Sequence, residues 1–358
     1  MVSGGEIRRA LEAGIDPAAI VFAGVGKTDA EIRLALEVGI GQFNVESLGE
    51  LRRIHELAAE AGRIAPVAVR INPDVDAGTH DKISTGRRHD KFGLSFETAR
   101  YALRLAEALP HLEPVGVHVH IGSQITRLSA FETAWRRTLA FVDEVREAGI
   151  DLVRVDLGGG FAVRYRDEEP IDPREIAALL AELLAGRDLE VILEPGRALV
   201  AEAGVLVTRV VDRKEDGEDR RFVVVDAGMN VLLRPALYGA FHAVLPVREP
   251  PAGTPLSRFD VVGPICESAD ILGRDRELPP VSHGDLLAVL TAGAYGAVMA
   301  SDYNARPRPA EVLVDGGRVA LITPRIEPEE RMRIERVPAW LRPAGGGGEG
   351  PDEAGSAA

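Results

Sequence analysis

Three short runs in this sequence place chemically capable side chains together: His118-Val-His120-Ile-Gly-Ser123-Gln, Gly158-Gly159-Gly160 and Glu194-Pro-Gly196-Arg197. A triple glycine lets backbone N–H groups close on a phosphate without side-chain clash. The same triplet also serves as a plain tight turn. Arg197 offers a guanidinium fork for that phosphate or for a substrate carboxylate, or it forms a rim salt bridge. Glu194 sits at the end of an apolar run, where a lone carboxylate is costly to bury. A pyridine nitrogen would suit it, because the carboxylate keeps that nitrogen protonated and the ring becomes an electron sink. An internal ion pair with an arginine such as Arg197 is the competing reading. His118 and His120 share one face of a strand. A metal pair would need further ligands at other strand ends, and the sequence offers no such set, so no metal is expected. His118 reads as a satisfied core residue, and His120 as a ring that stacks on a flat cofactor.

A second group follows later in the chain. Cys266-Glu267-Ser-Ala-Asp comes after Gly263-Pro264, and Ala292-Gly-Ala-Tyr295-Gly follows an apolar run. A lone cysteine is commonly an inert core residue, whereas a cysteine beside a glutamate in a loop is more suggestive. Arg234-Pro-Ala-Leu-Tyr238 sets a guanidinium and a phenol four residues apart, suited to carboxylate capture or to ordinary surface packing.

The elements that must hold these residues follow from the pattern. Up to about residue 203, short β-branched runs alternate with amphipathic helices: Ile20–Ala23, Gln42–Val45, Pro66–Ile71, Val115–Ile121, Leu152–Leu157 and Leu189–Leu193. Ser3/Glu6, Thr28/Glu31 and Ser47/Glu50 have capping-box spacing. Such alternation predicts a parallel sheet, and the three chemical runs fall at the ends of its last three strands, where (β/α)8 barrels carry their sites. Six strands behind a leading helix are two short of a complete barrel. Residues 204–330 change to strands and turns with little helix, the clearest runs being Gly204–Val211, Arg221–Asp226, Asp260–Gly263, Leu286–Leu290 and Ala310–Val314, an all-β sandwich or barrel domain. Residues 331–358 are low in complexity and expected to be largely disordered.

The formal net charge of −14 argues against a nucleic-acid or anionic membrane partner. A small anionic substrate would therefore need a local arginine cluster. No apolar run is long enough to span a membrane. The single cysteine excludes an internal disulfide and fits a reducing, cytoplasmic setting.

In order, Val2-Ser-Gly-Gly-Glu6, Lys91-Phe-Gly93 and the segments above resemble the diaminopimelate decarboxylases, barrel-type pyridoxal-phosphate (PLP) enzymes, over nearly the whole chain to about residue 325. Glutamate after the cysteine distinguishes it from similar ornithine decarboxylases, which carry aspartate. The resemblance implies that His120 stacks on PLP and Glu194 pairs with its ring nitrogen. Ser123, Gly158, Gly159, Gly160, Gly196 and Arg197 would surround the phosphate side, and Tyr295 would close the site. Arg197, Arg234 and Tyr238 would hold the distal carboxylate of meso-diaminopimelate, and Glu267 its distal ammonium. Cys266 would protonate the α-carbon after CO2 leaves. Cys266 and Glu267 reach the site across a homodimer interface in that family.

The family also attaches its cofactor through a lysine in a Tyr-Ala-x-Lys-Ala-type motif at the end of the first barrel strand. That motif is absent here, and none of Lys27, Lys82, Lys91 or Lys214 replaces it. The expectation is thus a PLP-binding barrel lacking its first two strands, followed by a β domain. A non-catalytic relative that keeps the dimer surface is the alternative. A racemase of the same barrel group fits less well, since it would place arginine at the ring nitrogen.

Overall fold

The computed structural model describes residues 1–75, 91–215, 217 and 221–341. Six strands form one parallel sheet in sequence order: β1 (Val21–Phe22), β2 (Gln42–Val45), β3 (Ala65–Ile71), β4 (Leu112–Val119), β5 (Arg154–Gly159) and β6 (Glu190–Glu194). Helices α1 (Gly4–Glu12), α2 (Asp29–Val38), α3 (Leu48–Glu60), α4 (Phe96–Ala108), α5 (Leu128–Glu147), α6 (Pro173–Leu184) and α7 (Gly196–Val200) precede or follow these strands. The sheet is part of a barrel, two strands fewer than a closed (β/α)8 ring among the described residues.

The strand sequences show why the sheet has two chemically different faces. Phe43, Val45, Val67, Val69, Ile71, Val117, Val119, Val155 and Leu157 belong to one buried apolar cluster with residues of α1 to α6. Successive side chains in a strand point to opposite faces. The intervening positions are Gln42, Asn44, Arg70, His118 and Asp156, all buried and polar. The concave side of the sheet is therefore lined with hydrogen-bonding groups. The 20-residue α5 is anchored across its strand by Trp135, whose Nε1 donates to Leu157 O at 3.1 Å.

The capping pattern holds with one difference. Thr28 and Glu31 make the full reciprocal box. Ser3 and Ser47 accept from the N3 backbone, but Glu6 turns to Val2 N, and Glu50 turns to Glu46 N and Lys27. At the sheet margin, Met1 bonds to Val21 O and Ala23 N, covering part of the β1 edge.

From Leu206 the chain builds a mixed six-stranded sheet. Its strands are β7 (Leu206–Glu215), β8 (Arg221–Val225), β9 (Val244–Pro246), β10 (Ser257–Val262), β11 (Ile271–Leu278) and β12 (Leu286–Val289), in the order β11-β10-β8-β7-β12-β9. A short helix, α8 (Arg234–Tyr238), lies between β8 and β9. Val210, Val223, Val225, Phe259, Val261, Leu272, Leu287 and Val289 form its core. An antiparallel pair, β13 (Glu311–Asp315) and β14 (Arg318–Thr323), follows. Strands β9, β11 and β14 add to the pattern read from sequence. The tail expected to be disordered from residue 331 departs from that reading at its start, where a short helix (Pro328–Met332) and a 3-10 turn (Ala339–Leu341) form, and its remainder lies outside the described residues from 342 onward.

The two sheets meet beside the C-terminal ends of β4 to β6. Val163, Tyr165, Ala201 and Ala294 pack there as a small buried cluster. Gly204 and Gly293 permit that closeness, since a Cβ at Gly293 would lie 1.9 Å from Val200 O.

Candidate active site

Beyond β4, β5 and β6 lies a cavity of about 230 Å³ lined by Ser123, Gln124, Tyr165, Glu168, Arg197, Arg234, Tyr238, Ala240, Phe241 and Tyr295. Five of the residues expected from sequence thus share one wall: Ser123, Arg197, Arg234, Tyr238 and Tyr295. Arg197 is buried on α7 and donates from Nη1 to Tyr165 Oη at 2.8 Å and from Nη2 to Ser123 Oγ at 2.9 Å. Its guanidinium also lies 4.8 Å from the centre of the Tyr295 ring. Tyr295 adopts φ 56, a left-handed conformation that a side chain this large rarely takes and that marks functional turns.

Arg234 opens α8 and is also buried. It lies 4.3 Å from the Tyr165 ring centre and shares a 2.8 Å hydrogen bond with His242 Nε2. Its Nε is buried without a partner. Among the described residues neither Arg197 nor Arg234 has a carboxylate in ion-pair range. Glu168, the acid in the lining, accepts instead from the backbone N–H groups of Tyr165 and Arg166. Two buried guanidiniums without a counter-ion are expensive unless an anion joins them. The rim salt bridge and the Glu194 ion pair considered for Arg197 are both absent from its described contacts.

Next to this wall, the concave face of the sheet gathers His118, Asp156 and Glu194, with one donor atom from each inside a 4.8 Å span. Asn44 Nδ2 and Gly158 N both donate to Asp156, and Gln42 Nε2 donates to Asn44 Oδ1, which fixes the direction of that amide. Burial pushes both carboxyls upward, and the charge of Glu194 adds to the effect at Asp156.

His118 lies in the core, as expected, but it is not satisfied. Among the described residues both ring nitrogens lack a hydrogen bond, and Nε2 stands 3.9 Å from Glu194 Oε1. Burial, reinforced by Arg70, holds it neutral, well below the usual histidine range. His120 is also driven down, to about 4, by burial first and Arg70 second. Its Nδ1 accepts from Gly159 N at 3.2 Å, which places the ring proton on Nε2.

The glycine triplet is tighter than a phosphate loop requires. A Cβ at Gly158, Gly159 or Gly160 would lie 2.2, 1.9 or 2.1 Å from the carbonyls of Val119, Glu194 and Gly122. The N–H groups of Gly158 and Gly159 are already given to Asp156 and His120. These two glycines thus satisfy close strand packing, and their N–H groups are not the bare ones expected from sequence. Gly196 is different, because a Cβ there would meet nothing within 4 Å.

Cys266 and Glu267 do not line this cavity. They occupy the loop between β10 and β11, with Cys266 exposed. Glu267 accepts from Tyr303 Oη at 2.5 Å, and Asn304 Oδ1 accepts from Cys266 N at 3.3 Å. Lys27 is fully engaged: its ammonium donates to Gly24 O, Asn44 O and Glu50 Oε1 at 2.8, 2.7 and 2.6 Å. Lys91 lies over the Phe92 ring and Lys214 is exposed on β7, while Lys82 lies outside the described residues. Tyr165 and His242 were not singled out from the sequence. Neither sits in a motif, and only the meeting of the two sheets reveals their contacts.

The donor set suits PLP. Among the described residues only His118, itself neutral, comes within ion-pair range of Glu194, and a protonated ring nitrogen would supply the missing cation. The open space over Gly196 and the Ser123 hydroxyl stand beside it.

A parallel barrel sheet followed by a β sheet, with an acid at the last barrel strand, defines the class of pyridoxal-dependent decarboxylases. Residues 1–201 match the family model described as "Pyridoxal-dependent decarboxylase, pyridoxal binding domain". The chain is 50% identical over 338 residues to the diaminopimelate decarboxylase of Vibrio cholerae, covering 94% of this chain and 80% of that protein. It is 52% identical over 316 residues to that of Pseudomonas aeruginosa, covering 88% and 75%. The crystal structure of diaminopimelate decarboxylase from Helicobacter pylori complexed with L-lysine superposes with a TM-score of 0.89 at 44% identity, over 93% of this chain and 82% of that one. The chain belongs to the diaminopimelate decarboxylase family. An arginine decarboxylase of a Chlorella virus, at 21% identity and a TM-score of 0.75, shares the fold.

Proposed function

We propose that this chain carries the cofactor and substrate sites for PLP-dependent decarboxylation of meso-diaminopimelate to L-lysine and CO2. The observation that carries the reading is the pair of buried guanidiniums, Arg197 and Arg234, which have no carboxylate partner among the described residues and stand beside a cavity of small-molecule size. A substrate that loses one carboxylate and keeps another needs such a fixed anion site, to hold the surviving group while the other departs.

When bound, PLP supplies an electron sink for the pair left behind as CO2 leaves. Glu194 would keep a proton on its ring nitrogen, supported by Asp156. His120, neutral and fixed by Gly159, would cover the ring. Ser123, Gly160, Gly196 and Arg197 would meet the phosphate side, with Gly158 and Gly159 shaping the strand end. Arg197, Arg234 and Tyr238 would hold the distal carboxylate, with Tyr295 over the guanidinium of Arg197.

Cys266 would deliver a proton to the α-carbon, and Glu267 would receive the distal ammonium. Both lie outside the cavity of their own chain, which favours a homodimer in which each copy completes the other's site. Exposed Cys266 also suits a reducing, cytoplasmic setting. Among the described residues no helix is long and apolar enough to cross a membrane.

The test is to saturate the chain with PLP, add meso-diaminopimelate and a small primary amine in place of the family's lysine, and measure products against free PLP. The reading predicts CO2 and L-lysine in equal amounts, above the free-PLP rate. Production no faster than free PLP alone would remove it.

A further inference from the structure

Arg234 is held from two sides by residues that no motif identifies. On one side is His242, fully buried, whose Nδ1 lies 2.9 Å from Leu290 O and whose Nε2 lies 2.8 Å from Arg234 Nη1. A carbonyl can only accept and a guanidinium can only donate. The imidazole is therefore the Nδ1–H tautomer, with its Nε2 lone pair on Arg234. Burial keeps it neutral, pushing its pKa down to about 4. On the other side is Tyr165. Its ring face lies against Arg234, its hydroxyl accepts from Arg197 Nη1, and its edge meets the His242 ring at 5.3 Å. Leu290 immediately follows β12, so one carbonyl of the β domain sets the imidazole, and the imidazole sets the arginine.

Arg197 and Arg234 both lie against the Tyr165 ring, their like charges repel, and long side chains resist being fixed. Tyr165 separates them with a π face on one and an acceptor oxygen on the other. His242 removes the remaining rotational freedom of Arg234 without adding charge. A carboxylate at this position would have neutralised the arginine and reduced its attraction for a substrate anion. A neutral imidazole acceptor orients the cation and leaves its charge available.

We propose that His242 and Tyr165 are positioning residues that hold Arg234 and Arg197 as a preorganised receptor for the substrate carboxylate that is not lost. This rests on the substrate reading above, and it goes further by assigning the specificity of that subsite to two residues that do not touch the reacting carbon.

The test compares L-lysine, which keeps that carboxylate, with 1,5-diaminopentane, which lacks it, as ligands of the PLP-saturated chain by calorimetry. His242→Phe keeps the ring volume but can neither donate nor accept. His242→Gln can still accept from Arg234 and donate to Leu290 O. Wild type should prefer lysine. His242→Phe should lose about tenfold of that preference, the scale of one hydrogen bond to a charged group, with 1,5-diaminopentane affinity little changed. His242→Gln should recover most of it. Tyr165→Phe, which keeps the face against Arg234 but drops the acceptor for Arg197, should fall between the two. An undiminished preference in His242→Phe, or an equal loss in His242→Gln, would overturn the proposal. A wild type that does not distinguish the two ligands would instead overturn the substrate reading on which it rests.

Discussion

Acid should weaken the contribution of His242 to stability at a pH where most carboxylates are still ionised, and the effect can be measured at that one residue. Its folded pKa is lowered from 6.5 to about 4 by burial. Between those values the unfolded chain binds a proton that the folded chain refuses, so stability falls as pH falls. The contribution is fully present above about pH 6.5 and is lost progressively toward pH 4. Linkage with those two values gives a loss on the order of 1 kcal/mol between about pH 7.5 and 5.5. His118 and His120 act in the same direction. Asp156 and Glu194 act oppositely, because carboxyls raised by burial are relieved of their charge as pH falls. The total slope therefore mixes signs, while the difference between wild type and His242→Gln isolates one proton. Urea unfolding followed by circular dichroism at the two pH values should show the variant losing about 1 kcal/mol less than wild type. Equal losses would mean that His242 is not held neutral, and the tautomer argument for Arg234 would fail with it.

Cys266→Ala should lower steady-state lysine formation at least about 10²-fold, the lower end of general-acid contributions, while CO2 release falls less because the decarboxylated substrate is diverted to abortive transamination, leaving its amino group on the cofactor and departing as an aldehyde. The measured ratio of CO2 to lysine should then exceed one, and a ratio of one at full rate would return the cysteine to a packing role. Borohydride reduction of the PLP-saturated chain should leave no adduct on Lys27, whose three donors are already used, and peptide mapping that found one together with turnover would contradict this.

Much of the site was legible because its residues sit at strand ends, where pattern and chemistry coincide. The six parallel strands follow from β-branched runs spaced by helices, and β13 from its alternation. Strands β9 and β11 were hidden for physical reasons. Val244–Pro246 is three residues long and ends in proline, and Ile271–Leu278 carries the charged run Arg274, Asp275, Arg276 and Glu277, which breaks the alternation of a strand. Gly158 and Gly159 were read as open donors because a sequence does not reveal how closely β4 and β6 approach them. His118 was read as a satisfied core residue, but its nitrogens face a polar interior assembled from β2, β5 and β6. Tyr165 and His242 depend on contact between the two sheets, a relation that no local pattern encodes.

The claim on which the rest depends is that Glu194, at the end of β6, holds a proton on the ring nitrogen of PLP. The ¹⁵N chemical shift of ring-labelled PLP bound to the chain reports that proton directly. The account predicts a pyridinium signal in the wild type at a pH where free PLP has lost its ring proton, and an unprotonated signal in Glu194→Ala. The same unprotonated signal in both proteins would contradict it.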